Sequence, residues 1–159
     1  MKNKHLSVWG VGPIYVSTIL LCTCVVVILE LHQKLPIYEF STPVLSIIIG
    51  IVLIIIGAIL WISAAVFSKL TTKVKKNTLI TNGVFAYVRN PIYSAFMFAC
   101  TGVIVILNNI ILLIVPLLFW ILLTLLMINT EEKWLKELYK EEYDEYCKKV
   151  NRCIPMIRK

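Results

Sequence analysis

The sequence predicts an all-α polytopic membrane protein with four transmembrane helices and a C-terminal amphipathic cytoplasmic helix. Three runs contain no Asp, Glu, Lys or Arg: residues 6–29, 40–68 and 92–130. Only 16% of the 159 residues are charged, whereas about a quarter are charged in a typical soluble domain. Each run is long enough for at least one spanning helix, which needs about 20 apolar residues. We therefore expect a single membrane domain over residues 1–159.

The three runs divide into four spans. The first two runs each hold one span, at residues 8–29 and 44–67. Asn108-Asn109 is a turn signal within the third run and divides it into spans at 91–107 and 110–129. No small-residue cleavage site follows the first run, so we expect a retained helix rather than a signal peptide.

The basic residues predict the orientation of these spans. Lys2 and Lys4 precede the first span, and the loop 69–90 carries five basic residues and no acid: Lys69, Lys73, Lys75, Lys76 and Arg89. Loops rich in Lys and Arg remain in the cytoplasm. Both termini are therefore predicted to be cytoplasmic, in the inner or plasma membrane if the cell is prokaryotic. The basic residues responsible for the net charge of +7 lie beside the membrane spans. This arrangement favours membrane lipids as partners and disfavours nucleic acid.

Small residues and the tail complete the predicted fold. Gly50 and Gly57 are two helical turns apart, so they share a face that another helix can approach closely. Thr130 is a suitable cap for a helix in the tail. After it, apolar residues recur at three- and four-residue spacing to about Asn151. This pattern predicts one amphipathic helix along the cytoplasmic surface.

The cysteines do not form a recognisable framework. Cys22, Cys24 and Cys100 fall within spans, where a free thiol acts as a small apolar group. Cys147 and Cys153 would face reducing cytoplasm, so no disulfide is expected. His5 and His32 fall on opposite sides of the membrane, so the sequence predicts no metal site.

The loop before the third span contains a candidate anion site. Asn90 precedes Pro91, which is the usual arrangement of a capping residue and a first helical residue. Arg89 therefore lies beside the positive end of a helix, where backbone N–H groups and a guanidinium together favour a carboxylate or phosphate. The structural alternative is an ordinary capped helix with an Arg that extends to the headgroups.

An acidic pair leaves the fourth span on the side predicted for Arg89. If the last two spans form a hairpin, Glu131 and Glu132 lie near the same plane as Arg89. Cationic and acidic groups facing each other at a lipid boundary suit a zwitterionic ligand. The alternative is that the two acids only complement the dipole of the following helix.

These two segments together resemble the isoprenylcysteine carboxyl methyltransferase family, which is related to the phospholipid N-methyltransferases. The resemblance covers residues 79–155. It rests on Gly83-x3-Tyr87-x-Arg89-Asn90-Pro91-x-Tyr93, a hydrophobic hairpin, and then Glu131-Glu132-x2-Leu135-x3-Tyr139-x3-Tyr143-x2-Tyr146-x6-Cys153-x-Pro155. The family usually has His where this chain has Asn90. Asparagine can cap and donate a hydrogen bond, but it cannot accept a proton, so a positioning role is expected there.

The resemblance implies S-adenosylmethionine as cofactor, S-adenosylhomocysteine as product, and binding at the cytoplasmic ends of the last two spans. The implied catalytic residues are Arg89, Glu131 and Glu132. The implied cofactor-binding residues are Gly83, Tyr87, Val88, Arg89, Asn90, Pro91, Tyr93, Glu131, Glu132 and Trp134. The candidate substrate contacts are Tyr143, Tyr146 and Arg152, although an aromatic belt and a lipid headgroup are alternatives for these three.

The predicted chemistry is methyl transfer to a lipophilic acceptor. Arg89 and the amides after Asn90 would hold the cofactor's carboxylate, and Glu131 or Glu132 would accept from its ribose hydroxyls or amino group. The acceptor is a carboxylate or thiolate of a prenyl-cysteine-like molecule, or a lipid amine. The other hypothesis is a non-enzymatic scaffold or transporter subunit. The predicted spans contain no Asp, Glu, Lys, Arg or His, which counts against transport of ions or protons.

Overall fold

The protein is a helical bundle with a short helical tail. The structure, a computed structural model, describes residues 11–67 and 79–156. Several residues used in the predictions lie outside these ranges. They are the lysines predicted to orient the spans (Lys2, Lys4, Lys69, Lys73, Lys75 and Lys76), His5, and residues 8–10 of the first predicted span. The described α-helices are α1 (Gly12–Leu31), α2 (Pro43–Ile62), α3 (Pro91–Ile106), α4 (Ile114–Asn129), α5 (Glu131–Tyr139) and α6 (Glu141–Lys149).

Three helical runs in the described part of the chain are long and apolar enough to cross a membrane. They are Gly12–Leu31, Pro43–Ala65 and Ile110–Tyr139, the last of which joins a 3-10 turn to α4 and α5. Helices α2 and α3 begin within one residue of the predicted starts at 44 and 91, and proline occupies the first position of each. Helix α1 begins at Gly12 rather than at residue 8, with Pro13 in its second position. The all-α prediction holds throughout residues 11–67 and 79–156, where the only β pairing is an isolated bridge.

Helix α3 is shorter than α1 and α2, which have 20 residues each, and lies at the centre of the bundle. Its 16 residues span about 24 Å at 1.5 Å per residue, less than the ~30 Å hydrocarbon core of a bilayer. Eight of them are buried, including Met97 and Ile104, and α1, α2 and α4 all contact it. Neighbouring helices therefore surround much of α3 in place of lipid.

Glycines allow α2 and α3 to pack with their backbones nearly touching. A Cβ atom added to Gly50 would lie 2.6 Å from the carbonyl oxygen of Gly102, and one added to Gly57 would lie 2.6 Å from that of Ala95. These distances are too short for any side chain. The order of the contacts also shows that the two helices run antiparallel. The prediction that Gly50 and Gly57 share a helix-packing face is therefore confirmed.

One end of the bundle is closed by hydrogen bonds around the predicted Asn108-Asn109 turn. Asn109 Nδ2 donates to the Glu30 carboxylate at 3.2 and 3.3 Å and to the Pro36 carbonyl at 3.0 Å. Asn108, at φ 53°, donates to the Ser41 carbonyl at 2.8 Å. These contacts place the α1–α2 connection and the α3–α4 turn at the same end. The start of α3 and the end of α4 consequently meet at the opposite end.

The prediction of one continuous tail helix is wrong. The tail forms two helices of nine residues, α5 and α6, separated at Lys140, whose φ of 48° and ψ of −119° are incompatible with a helix. Thr130 occupies the cap position but makes no capping bond; its hydroxyl donates to the Leu126 carbonyl instead. The break folds α6 back so that Tyr143, Tyr146 and Val150 form a small core with residues of α5 and with Leu79.

Candidate functional site

A loop anchored by the buried side chains of Phe85 and Val88 presents Arg89 at the start of α3. Gly83, at φ 62°, opens a 3-10 turn that ends at Ala86, and left-handed backbone of this kind favours glycine. The hydroxyl of Tyr146 donates to the Phe85 carbonyl at 2.6 Å and fixes this turn against α6. Val88 is fully buried. The loop therefore holds Arg89 in a defined position beside the first turn of α3.

The C-terminal segment (residues 151–156) pairs with the same loop. Val88 and Asn151 form a parallel bridge, and the Arg89 N–H donates to the Asn151 carbonyl at 2.9 Å. One residue further along, the Asn90 N–H donates to the Arg152 carbonyl at 3.3 Å. The backbone of the C-terminal segment thus pairs with Val88, Arg89 and Asn90, which are residues expected to bind the cofactor.

Asn90 does not use its side chain as a helix cap, which corrects the expected capping bond. Its carbonyl accepts from the Ser94 N–H at 2.9 Å, so it occupies the position of a cap. Its side-chain Nδ2 instead donates to the Arg152 carbonyl at 3.2 Å. The Arg152 carbonyl therefore accepts from both the backbone N–H and the side-chain amide of Asn90, and the second bond reinforces the first. Asn90 therefore positions the loop against the C-terminal segment.

Two arginines converge on one glutamate at this end of the bundle. Arg152 donates to both carboxylate oxygens of Glu132, from Nε at 2.6 Å and from Nη2 at 2.9 Å. Arg89 Nη1 lies 3.3 Å from Glu132 Oε1 and also contacts Cys147 Sγ. The exposed fractions of the side chains are 10% for Arg89, 13% for Glu132 and 23% for Arg152. The structure therefore brings together Arg89 and Glu132, which are 43 residues apart in the sequence.

The charge of this cluster is unbalanced. Arg89 and Arg152 contribute two positive charges, and Glu132 contributes one negative charge. The hydrogen bond with Glu132 raises the pKa of Arg152 further above its ordinary value, so Arg152 remains charged. Arg89 Nε is buried and has no hydrogen-bond partner. An excess positive charge with an unpartnered donor in a buried position favours an anionic ligand.

Glu131 faces a different set of neighbours from Glu132. Its Oε1 accepts from the Tyr93 hydroxyl at 2.7 Å and from the Val11 N–H at 3.0 Å. The Tyr93 ring packs edge-to-face on Tyr15, with ring centroids 6.2 Å apart. Glu131 thus links the start of α1, the first turn of α3 and the start of α5.

The remaining predicted residues fall into an exposed group and a buried group. Tyr87 and Trp134 are about half exposed, whereas Pro91 is buried at the start of α3. Tyr143 and Tyr146 are buried in the tail core, so they do not form a lipid-facing aromatic belt. Arg152, the third candidate substrate contact, pairs with Glu132, and contact of these three residues with a substrate stays a prediction.

Sequence reasoning did not predict three of the contacts in this site. The Arg152–Glu132 pair was missed because the break at Lys140, which brings residue 152 back beside residue 132, has no Gly, Asn or Pro to signal it. Cys147 was not considered as a neighbour of Arg89, although it lies one helical turn from Tyr143 on the inner face of α6. The Val11 N–H carried no signal at all, because a backbone donor is present at almost every residue.

Cys153 lies in the core of the protein, away from solvent. It is buried, and burial raises the pKa of its thiol to about 11, so the thiol is protonated near neutral pH. Within residues 11–67 and 79–156, no group of three His, Cys, Asp or Glu side chains is arranged to hold a metal ion.

Comparison with known proteins gives a consistent family. A family model described as phospholipid methyltransferase matches residues 45–142. The chain is 36% identical over 84 residues to the protein-S-isoprenylcysteine O-methyltransferase of Schizosaccharomyces pombe, covering 52% of this chain and 35% of that protein. It is 34% identical over 83 residues to a probable protein-S-isoprenylcysteine O-methyltransferase of Oryza sativa subsp. indica, covering 52% of this chain and 43% of that protein. The chain thus matches less than half the length of these curated relatives. No solved structure matches it significantly.

Proposed function

The chain belongs to the phospholipid methyltransferase family, and on this premise we propose that it is an integral membrane enzyme that transfers a methyl group from S-adenosylmethionine to a lipophilic acceptor. The expected resemblance to the isoprenylcysteine carboxyl methyltransferases is confirmed by the family match and by the curated relatives. The match covers the loop with Arg89 and the acidic pair, and it ends within the tail. The contact between Arg89 and Glu132 is the observation that carries the proposal, because it joins the two matched segments into one site.

In the proposed topology all four helices of the bundle cross the membrane and the charged site faces the cytoplasm. Hydrogen bonds place Asn108, Asn109 and the α1–α2 connection at one end of the bundle, and Arg89 with Glu132 at the other. In the sequence, the basic segment 69–90 precedes α3 and the charged tail follows α4, so the distribution of Lys and Arg favours this end as the cytoplasmic one. In this arrangement α5 and α6 lie at the membrane surface.

The residues of the site fit the charged end of S-adenosylmethionine. Its carboxylate would be held by Arg89, whose buried Nε is an unused donor, and by the net positive charge of the Arg89–Glu132–Arg152 cluster. Both oxygens of Glu132 already accept from Arg152, so Glu131 is the better candidate to accept from the ribose hydroxyls or the amino group. Glu132 then serves as the counter-ion of Arg89.

Methyl transfer needs alignment and exclusion of water more than it needs acid–base catalysis. When bound, the cofactor supplies a methyl group on a sulfonium sulfur, which is already a strong electrophile. Tyr93, which is fixed by Glu131 and by Tyr15, would border this cation with its ring. The half-exposed Tyr87 and Trp134 would cover the adenine side. The work of these residues is to hold the reacting atoms in line.

A carboxylate or thiolate is the favoured acceptor. A carboxylate can attack without losing a proton, whereas an ammonium group must first be deprotonated by a base. At the position where the family usually has His, Asn90 is engaged through its amide with Arg152 and cannot accept a proton. The curated relatives are named for an isoprenylcysteine acceptor, which agrees with this choice. A hydrophobic acceptor would enter from the bilayer.

Binding of S-adenosylhomocysteine to the detergent-solubilised protein tests the cofactor assignment. We expect saturable binding by the wild type and about a hundredfold weaker binding by Arg89→Gln, the upper end of the range for loss of a charge-assisted hydrogen bond. Lys148→Gln also removes one positive charge, but from an exposed side chain that pairs only with Glu145 among the described residues, and it should bind like the wild type. Absence of saturable binding in folded wild-type protein would leave the scaffold hypothesis in its place.

Methyl transfer from radiolabelled cofactor tests the acceptor. Three acceptors are offered to the protein in vesicles: a prenylated cysteine with a free carboxylate, its methyl ester, and a phospholipid amine. The free acid should become labelled and the ester should not, because esterification removes the attacking oxygen. Labelling of the phospholipid amine alone would refute the preference for a carboxylate.

A further inference from the structure

Glu132 is bonded unequally by its two arginines. Arg152 meets the carboxylate with a two-pronged contact at 2.6 and 2.9 Å, which is the strongest geometry for this pair. Arg89 reaches only Oε1, from one nitrogen, at 3.3 Å. Arg152 therefore satisfies most of the hydrogen-bonding capacity of Glu132.

Arg89 correspondingly keeps unused capacity. A guanidinium has five N–H donors. For Arg89, Nη1 is divided between Glu132 and the thiol of Cys147, which is a weak acceptor, and Nε is buried without a partner. A guanidinium that is 10% exposed would normally be fully paired, so its remaining donors are suited to an anionic ligand.

We infer that Arg152 is a positioning residue, which occupies Glu132 so that Arg89 stays available for the cofactor's carboxylate; this inference rests on the proposed function. Without Arg152, the charged carboxylate of Glu132 would have Arg89 as its neighbouring cation. Glu132 would then compete with the cofactor's carboxylate for the same donors. Arg152 thus acts on cofactor affinity through Glu132, without touching the cofactor.

The C-terminal segment is built to hold Arg152 in this role. The Arg152 carbonyl accepts from both the backbone N–H and the side-chain Nδ2 of Asn90, at 3.3 and 3.2 Å. Its backbone is therefore fixed to the residue next to Arg89, while its guanidinium holds the carboxylate opposite Arg89. Both contacts depend on the same register between the C-terminal segment and the loop.

A purely structural role for the Arg152–Glu132 pair makes a different prediction, and a double variant separates the two. Arg152→Gln should weaken S-adenosylhomocysteine binding by about tenfold to a hundredfold, the range for one charge-assisted hydrogen bond. Adding Glu132→Gln removes the competing carboxylate and should restore binding to within about threefold of Glu132→Gln alone. If the pair only holds the fold together, the double variant binds no better than Arg152→Gln.

The experiment measures the dissociation constant of radiolabelled S-adenosylhomocysteine for each purified variant in detergent, with thermal unfolding as the check on folding. Lys148→Gln is the matched charge control on α6. Arg152→Lys replaces Arg152→Gln if the latter does not fold; it keeps the charge but loses the two-pronged contact, and it should still weaken binding several-fold.

The outcomes distinguish the inference from the function on which it rests. Failure of the folded wild type to bind refutes the proposed function. Binding by the wild type together with unchanged binding by the Arg152 variant, or with no recovery in the double variant, refutes the inference alone.

Discussion

Removing the Tyr93 hydroxyl tests whether Glu131 is held in place from the membrane side. Tyr93→Phe deletes one oxygen and leaves the ring. The packing of the ring on Tyr15 and against Gly12 is therefore retained, and no cavity forms. The change isolates the 2.7 Å hydrogen bond from the hydroxyl to Glu131 Oε1.

The size of the effect follows from the environment of Glu131. Its described hydrogen bonds are two, from Tyr93 and from the Val11 N–H, and both use Oε1. A hydrogen bond to a charged group contributes about 1.5–3 kcal/mol. For a domain of this size each kcal/mol corresponds to a shift of about 2–4 °C in the unfolding midpoint. Tyr93→Phe should therefore lower that midpoint by about 3–12 °C.

Thermal unfolding and S-adenosylhomocysteine binding are measured on the same detergent-solubilised samples. Tyr38→Phe is the matched control, because Tyr38 is exposed and lies at the other end of the bundle, where only its backbone carbonyl is used by Ile110. The control should change the free energy of unfolding by less than about 0.5 kcal/mol, which corresponds to a midpoint shift of less than about 2 °C. If Tyr93→Phe unfolds at the same temperature as Tyr38→Phe, Glu131 does not depend on this bond and the reasoning fails.

Two further substitutions test the helix contacts. Gly57→Ala should destabilise the protein by about 1–3 kcal/mol, because the new Cβ atom would lie 2.6 Å from the Ala95 carbonyl oxygen. The control Ala58→Val adds more atoms, but on the exposed face of α2, and should be nearly neutral. Unfolding in increasing denaturant measures both variants, and equal effects would contradict close packing at Gly57. Lys140→Gly should stabilise the protein by about 0.5–1 kcal/mol, because a backbone φ of 48° is less favourable for lysine than for glycine. An unfolding midpoint lower than that of the wild type would show that Lys140 is not strained.

The helices of the bundle could be predicted closely because charge and proline mark their ends. The predicted 44–67 and 91–107 correspond to Pro43–Ala65 and Pro91–Ile106. Burial at the core was harder to predict. Helix α3 has the same apolar composition as its neighbours, yet it is the central helix of the bundle, and only the backbone contacts of Gly50 and Gly57 identify the face that covers it.

The tail was predicted poorly because its local pattern is helical throughout. Periodic apolar residues and i,i+4 charge pairs continue across Lys140 without a glycine, proline or asparagine to indicate a break. The break is stabilised by tertiary contacts, in which Tyr143 and Tyr146 become buried against α5 and the loop. Local propensity could not show that these contacts outweigh one strained residue.

The two adjacent glutamates show why the site could be located from the sequence but not resolved. Successive residues on a helix point about 100° apart, so Glu131 and Glu132 at the start of α5 cannot serve the same neighbour. Glu131 is bonded by the transmembrane bundle through Tyr93, and Glu132 is bonded by the loop and the C-terminal segment through Arg89 and Arg152. The first turn of α5 therefore joins the helical bundle to the C-terminal tail. Because the two carboxylates have separate partners, Tyr93→Phe tests the contacts of Glu131 and Arg152→Gln tests those of Glu132.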